Sequence, residues 1–342
     1  MKEQFINSFG LSVGLFLLAL VLTTALTPIY TFFAYKFKFW KKQRSVAVTG
    51  EKLKIFTKLH AAKFKRNIPT MAGMIFVAAV GLITLLLNRN RGQTWLPLAG
   101  LVAGGVVGLI DDVINVFGNG KGVAGLRSSI KFTMILALGV IFGLFFFYKL
   151  GYSSIFVPFI GSVDIGWLII PLFAFAVVAT GNAVNISDGL DGLAGGLSAI
   201  AFFAYGIIAI LQGHGMLAAF CFSVVGALVS YLWFNVYPAR FMMGDVGSFA
   251  LGTSLGVVAM LTDSFLLLPI FGLLFVVEAG SSLLQILSKK FFHRRIFISA
   301  PIHQHIQAKG WPEMKITTRF WIIAMVMMVI GLLIVVEGGY IK

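Results

Sequence analysis

The stretch GNAVNISDGLDGLAGG, Gly181 to Gly196, sets Asn182, Asn185, Asp188 and Asp191 three residues apart in a chain that is otherwise mostly apolar. On a helix three residues advance about 300°, so successive polar groups sit roughly 60° apart and all four can share one broad face. An aspartate at mid-bilayer costs about 2.5–3.5 kcal/mol on insertion scales, so two of them need a partner, a metal or water. Gly189 and Gly192 follow the two acids directly and let a bulky ligand approach the backbone. Acids that merely cap a helix end are the plainer alternative.

Composition frames this stretch. Of 342 residues, 59% are apolar and only 11% charged, whereas soluble domains carry about a quarter charged residues. Mean hydropathy is +0.96. The chain is therefore expected to be an all-α, polytopic integral membrane protein. Apolar runs near 11–34, 71–88, 95–111, 132–149, 166–184, 193–211, 216–236, 246–262, 264–287 and 318–337 give about ten transmembrane helices. No soluble part stands out, so residues 1–342 read as a single transmembrane domain. The first run is too long for a signal peptide and lacks a small-residue cleavage site. A lone cysteine, Cys221, excludes an internal disulfide.

Basic residues set the orientation. Alternate loops (35–70, 112–131, 185–192, 237–245 and 288–317, with Arg319) hold 22 of the 27 Lys and Arg. The other side keeps Lys2, Arg89, Arg91, Lys149 and Lys342. By the positive-inside rule the basic loops lie in the cytoplasm and both termini lie outside. The net charge of +15 then points to anionic membrane lipids and phosphate, not to nucleic acid. The same parity sends every conspicuous polar cluster to the cytoplasmic face: Lys63 to Thr70, Asp111–Asp112, Asn185 to Asp191, Gly244–Asp245 and His303 to Trp311. A transporter is expected to keep ionisable groups near the midplane, within interrupted helices. Here they gather where a soluble, charged substrate can meet a lipid.

The residue types specify a chemistry. Asp111 and Asp112 are expected to end the third span, and adjacent carboxylates call for a cation: Mg²⁺, Lys or Arg. Asp245, in FMMGDVGS, follows Gly244 at the start of the eighth span. A Gly–Asp at a helix N-terminus suits a Mg²⁺ ligand or a phosphate on free N–H groups, with simple capping as the alternative. His303 and His305 flank Gln304 in PIHQH. Without a third ligand they suit a phosphate-binding pocket better than zinc. In extended backbone both would point away from Gln304. Eleven basic residues between Lys36 and Arg66 fit anionic headgroups, and Lys65, beside the membrane re-entry, is the site candidate among them. Acids for Mg²⁺, bases for phosphate and an apolar body point to phosphoryl transfer between a nucleotide-activated group and a lipid. No Walker A, kinase or Rossmann fingerprint is present. These residues alone name no sugar.

KFKRNIPTMAG, GLIDD, NAVNISDGLDGLAGG, FMMGDVGSFALG and RRIFISAPIHQHIQAKGWPEMKITTRFW occur in this order between about residues 60 and 330. Together they resemble the phospho-N-acetylmuramoyl-pentapeptide transferase family. Its aspartate motifs are shared across the polyprenyl-phosphate sugar-1-phosphate transferases, while PTMAG and the PIH–H–KGWPE loop mark the muramoyl-peptide branch. The resemblance implies a Mg²⁺-dependent bacterial inner-membrane enzyme. It would move phospho-MurNAc-pentapeptide from UDP-MurNAc-pentapeptide to undecaprenyl phosphate, giving lipid I and UMP. A sister activity on UDP-GlcNAc is the alternative enzyme reading; a transporter or scaffold would release no UMP. A homodimer through apolar span faces is compatible with either enzyme.

The resemblance also implies residue roles. Asp245 falls on the Mg²⁺ ligand and Asp111 and Asp112 on the catalytic acidic pair. Asn185, Asp188 and Asp191, with Asn182 beside them, fall on the nucleotide-side polar cluster. Lys65 and Thr70 fall near the uridine pocket, and His303 and His305 on the outer members of a histidine run. This chain departs in three places: Gln304 interrupts that run, Met242 replaces an aromatic expected against uracil (with Phe241 adjacent), and Asn115 stands where a lysine is usual. Lys121, in NGKG, is a candidate for a separate lysine position. The preferred chemistry is direct in-line attack by the lipid phosphate, with Asp111 as the base if one is needed; a ping-pong route through an aspartyl-phosphate is the rival.

Overall fold

The computed structural model describes residues 2–40, 67–118 and 125–341. In chain order the helices are α1 (Lys2–Lys36), α2 (Gly73–Leu87), α3 (Trp95–Phe117), α4 (Ser128–Tyr148), α5 (Ile169–Ser187) and α6 (Leu193–Leu211). They continue as α7 (Gly215–Asn235), α8 (Gly244–Leu261), α9 (Leu268–Phe271), α10 (Leu273–Phe292), α11 (Ile302–Ala308) and α12 (Glu313–Glu337). A small hairpin, β1 (Ser154–Val157) with β2 (Gly161–Asp164), pairs antiparallel between α4 and α5. The protein is an all-α, polytopic membrane protein. Each of the ten apolar runs becomes helix. Among the described residues eight helices are long and apolar enough to cross a membrane, or nine if Phe265–Phe271, which includes α9, and α10 form one span bent by 82°. The remaining run gives α2, only 15 residues long.

α8 is the axis of the bundle, and every residue in it is buried. The sequence explains why its neighbours approach so closely. Gly100, Gly104 and Gly108 recur every fourth residue and so form one flat stripe along α3. A Cβ on Gly104 would stand 2.7 Å from the Phe249 carbonyl, and one on Gly108 would overlap the Asp245 carbonyl. Without a hydrophobic driving force between helices in lipid, small residues that permit close packing and polar groups that bond across helices do the holding. Accordingly, the Thr253 hydroxyl donates to the Gly100 carbonyl at 2.6 Å and Ser254 to the Pro97 carbonyl at 3.1 Å. On the other flank of α8, Gly252 packs on Gly181 of α5. The Asn185 amide donates to the Ser248 hydroxyl at 2.9 Å.

Three local expectations change. α3 does not end at the acidic pair but continues to Phe117. α5 ends at Ser187, because Asp188 leaves helical geometry (φ −78°, ψ 47°) and Gly192 adopts φ +75° just before α6. The four polar residues of 182–191 therefore divide between a helix end and a turn instead of sharing one helical face. Residues 302–308 are helical, not extended, so His303, Gln304 and His305 fan out about 100° apart.

Candidate active site

Two distant motifs form the floor of the site by backbone pairing. The Met242 N–H donates to the Pro69 carbonyl at 2.8 Å, and the N–H groups of Ala72 and Gly73 donate to the carbonyls of Met242 and Met243 at 3.1 and 2.9 Å. The segment 67–73, which ends in PTMAG, carries left-handed backbone at Asn67 (φ 48°) and Met71 (φ 72°). Such outliers persist only where surrounding structure holds them. Thr70 is buried, and its carbonyl accepts a 2.5 Å hydrogen bond from the Tyr30 hydroxyl. Gly244, at φ +74°, opens α8 between the Asp112 carboxylate and the Thr70 hydroxyl. A Cβ there would overlap Asp112 and stand 2.8 Å from Thr70 Oγ1.

The glycine stripe of α3 now delivers its acids. One turn beyond Gly108, Asp111 and Asp112 meet Asp245 in the first turn of α8, each offering a carboxylate oxygen within 4.8 Å of the others. All three are buried. Asp111 Oδ1 accepts from the Leu126 N–H at 2.6 Å, and Asp112 Oδ2 accepts from the Val246 N–H at 3.1 Å. Lys131, near the start of α4, reaches between them: its Nζ lies 3.0 Å from Asp245 Oδ2 and 3.4 Å from Asp111 Oδ2. Like charges this close repel strongly at low effective dielectric, so the cluster draws a cation. Hard, oxygen-only donors of this kind suit Mg²⁺ rather than a soft metal.

The remaining candidates are distributed around this centre. Asn185 reaches it through Ser248, whose hydroxyl donates to the Gly244 carbonyl at 3.1 Å. Asn182 instead bonds back to the Val178 carbonyl at 2.8 Å. Asp188 is half-buried in the turn after α5. Asp191 braces the fold: its Oδ2 accepts from the Ala239 N–H at 3.0 Å, its N–H donates to Glu313 at 2.5 Å, and its carbonyl accepts from Thr317 at 3.2 Å. Met242 is half-buried at the floor, while Phe241 is fully buried against Tyr30, Tyr231 and Phe234. Phe241 is thus a core residue rather than an aromatic lid. Gln304 Oε1 accepts from the Ser299 hydroxyl at 2.8 Å. His305 Nδ1 accepts from the Ile298 N–H at 3.1 Å, and burial followed by the Lys309 charge lowers its pKa, consistent with a neutral ring. Lys65 and Lys121 lie outside the described residues.

Two residues escaped the sequence reading. Lys131 looked like one more basic loop residue; its spacing from the acids carries no signal, because α4 folds back to bring it there. Glu278 was legible in principle. It is a single acid inside an apolar span, which by itself marks a functional or paired group. In the structure it is fully buried and bonded to His303.

A family model described as glycosyl transferase family 4 matches residues 94–263, from α3 through α8. Over 328 residues the chain is 37% identical to the phospho-N-acetylmuramoyl-pentapeptide-transferase of Chloroflexus aurantiacus, spanning 92% of this chain and 86% of that protein. It is 35% identical over 335 residues to the corresponding protein of Listeria welshimeri, spanning 96% and 99% respectively.

Proposed function

Because the chain belongs to the phospho-N-acetylmuramoyl-pentapeptide-transferase family, we propose that it transfers phospho-MurNAc-pentapeptide from UDP-MurNAc-pentapeptide to undecaprenyl phosphate, releasing UMP and lipid I. The observation that carries this reading is the buried cluster of Asp111, Asp112 and Asp245 with Lys131 across it. It sits at the end of the bundle where Thr70, Asn185 and the turn holding Asp188 also lie, an end we assign to the cytoplasmic face of the bacterial inner membrane on the strength of its basic loops. Both termini then lie outside, and residues 1–342 act as one transmembrane transferase domain.

In this reading Asp245, Asp111 and Asp112 form the Mg²⁺ site, with Asp245 as its principal ligand. What the metal supplies when bound is charge neutralisation on the donor's diphosphate. Lys131, displaced from its carboxylates, offsets charge on the same group. A lone pair on an oxygen of the lipid phosphate forms the new bond to the sugar-bearing phosphorus. The bridging P–O bond breaks, and its electron pair leaves with UMP. A phosphomonoester with a second pKa of about 6 is already ionised at neutral pH, so Asp111 need only accept a proton when the interface holds one on. Thr70, Met242 and Asn185 line the nucleotide side, and Asp188, His303 and His305 the sugar-phosphate side. The test is UMP release from UDP-MurNAc-pentapeptide with a polyprenyl phosphate and Mg²⁺, run beside UDP-GlcNAc. Turnover of UDP-GlcNAc alone would move the chain to the sister activity, and release from neither would sink the enzymatic reading.

A further inference from the structure

One face of α10 is lined by four buried polar residues. Glu278, Ser281, Gln285 and Ser288 are all buried and recur at steps of three and four, the spacing of one helical face. Three of them hold the loop 294–302 by its backbone. Ser288 donates to the Arg294 carbonyl at 2.9 Å. Gln285 accepts from the Ile296 and Phe297 N–H groups at 3.1 and 3.0 Å and donates to the Phe297 carbonyl at 3.0 Å. Ser281 accepts from the Ile302 N–H at 2.9 Å. Neutral side chains suffice for that bracing. Glu278 differs: it is a carboxylate, it is 0% exposed, and it bonds a side chain, His303 Nδ1, at 2.8 Å. Leaving water is costly for a carboxylate unless what it meets needs its charge.

The other ring nitrogen completes the case. His303 is also 0% exposed, and its Nε2 has no hydrogen-bond partner among the described residues. The ring faces Gly189, where a Cβ would overlap Nε2 and stand 2.7 Å from Cε1. Gly189 thus admits the imidazole to the turn that follows Asp188. A carboxylate on one nitrogen fixes which nitrogen carries the proton and how the ring is oriented. Hydrogen bonds to a reacting group are often incomplete without substrate, so a buried nitrogen left unpaired points to a partner that arrives with it.

Resting on the reading above, we infer that Glu278 is a positioning residue for phosphoryl transfer. Its ionised carboxylate holds the Nδ1–H of His303, so that Nε2 is the nitrogen offered at the Asp188–Gly189 turn to the phosphate oxygens of the donor. Glu278 touches no substrate and acts through His303. Glu278→Gln keeps the shape but removes the charge that fixes the ring. It is expected to lower kcat about tenfold or more, with the KM for the UDP-sugar within about twofold of wild type and the thermal midpoint within about 3 °C. His303→Ala should lower kcat at least as far. In the His303→Ala background Glu278→Gln should then change nothing more, because two residues acting as one unit are not additive. A Glu278→Gln enzyme with kcat within about twofold of wild type overturns the inference, as does a double variant whose loss is the product of the two single losses.

Nitrogen-15 spectra of histidine-labelled protein give a readout independent of turnover. Wild type should show one buried histidine with a protonated Nδ1, and that signal should shift in Glu278→Gln. An unprotonated Nδ1 at His303 overturns the inference. If wild type releases no UMP from the muramoyl donor, the functional reading fails by itself, while these spectra still decide whether Glu278 sets the ring.

Discussion

At the scale of single residues, the cluster is a charge trap, and in the proposed reading Lys131 and Mg²⁺ compete for it. Lys131 neutralises part of the charge of three buried carboxylates. Lys131→Met removes that counter-charge, so Mg²⁺ should raise the variant's thermal midpoint by several degrees more than it raises that of wild type, while turnover falls. An equal Mg²⁺ shift in both proteins would show that Lys131 and the ion do not compete. Asp245→Asn exchanges a charged ligand for a neutral, poorer one. It is expected to fold normally yet lose about a hundredfold or more of its turnover even at saturating Mg²⁺; near-normal rates would remove Asp245 from the metal site. The acids were legible in the sequence because aspartates are so scarce in this chain that clustering stands out, whereas Thr70 entered as a site residue through resemblance. Lys131 was not, since a lysine among 27 basic residues is informative only once its neighbours are known. Met242 and Gln304 drew attention only through resemblance, and the structure places the first at the floor of the site and the second in a loop brace.

At the scale of elements, the positions of the spans followed from hydropathy, but their ends did not. Hydropathy falls at a charged pair, so α3 was expected to stop at Asp111–Asp112; backbone bonding takes it on to Phe117 because Lys131 and two N–H groups satisfy the acids within the helix. The break of 82° between α9 and α10 falls at Gly272, three residues after Pro269, breakers that hydropathy alone does not weigh. The α3 stripe was visible as glycines yet silent about its partner, and it makes a clear prediction. Gly108→Ala drives a methyl group into the Asp245 carbonyl and should cost about 1–3 kcal/mol through overpacking. It should also separate the acids enough to abolish stabilisation by Mg²⁺. Gly14→Ala, where nothing lies within 4 Å, is the matched control and should leave both quantities unchanged. A Gly108→Ala protein with wild-type heat resistance would mean that α3 and α8 are not held at this distance.

At the scale of the whole molecule, orientation can be read chemically. Cys221 is fully buried, so native background labelling should be negligible. Ile160, 77% exposed at the β1–β2 hairpin, and Lys290, in the last turn of α10, lie at ends of spans of opposite parity. A membrane-impermeant maleimide applied to intact cells should label Ile160→Cys and reach Lys290→Cys only after permeabilisation. The reverse pattern would invert the topology. The complete enclosure of α8 has one further consequence. Of the eight full-length spans among the described residues it has the lowest mean hydropathy, 1.4, and it alone is buried along its whole length. During biosynthesis such a segment has little affinity of its own for lipid, carrying as it does an acid, hydroxyls and several glycines. It would enter the bilayer as a passenger, sheltered by α3 and α5 that the ribosome has already delivered. The helix that completes the acidic cluster is thus the one least able to insert alone.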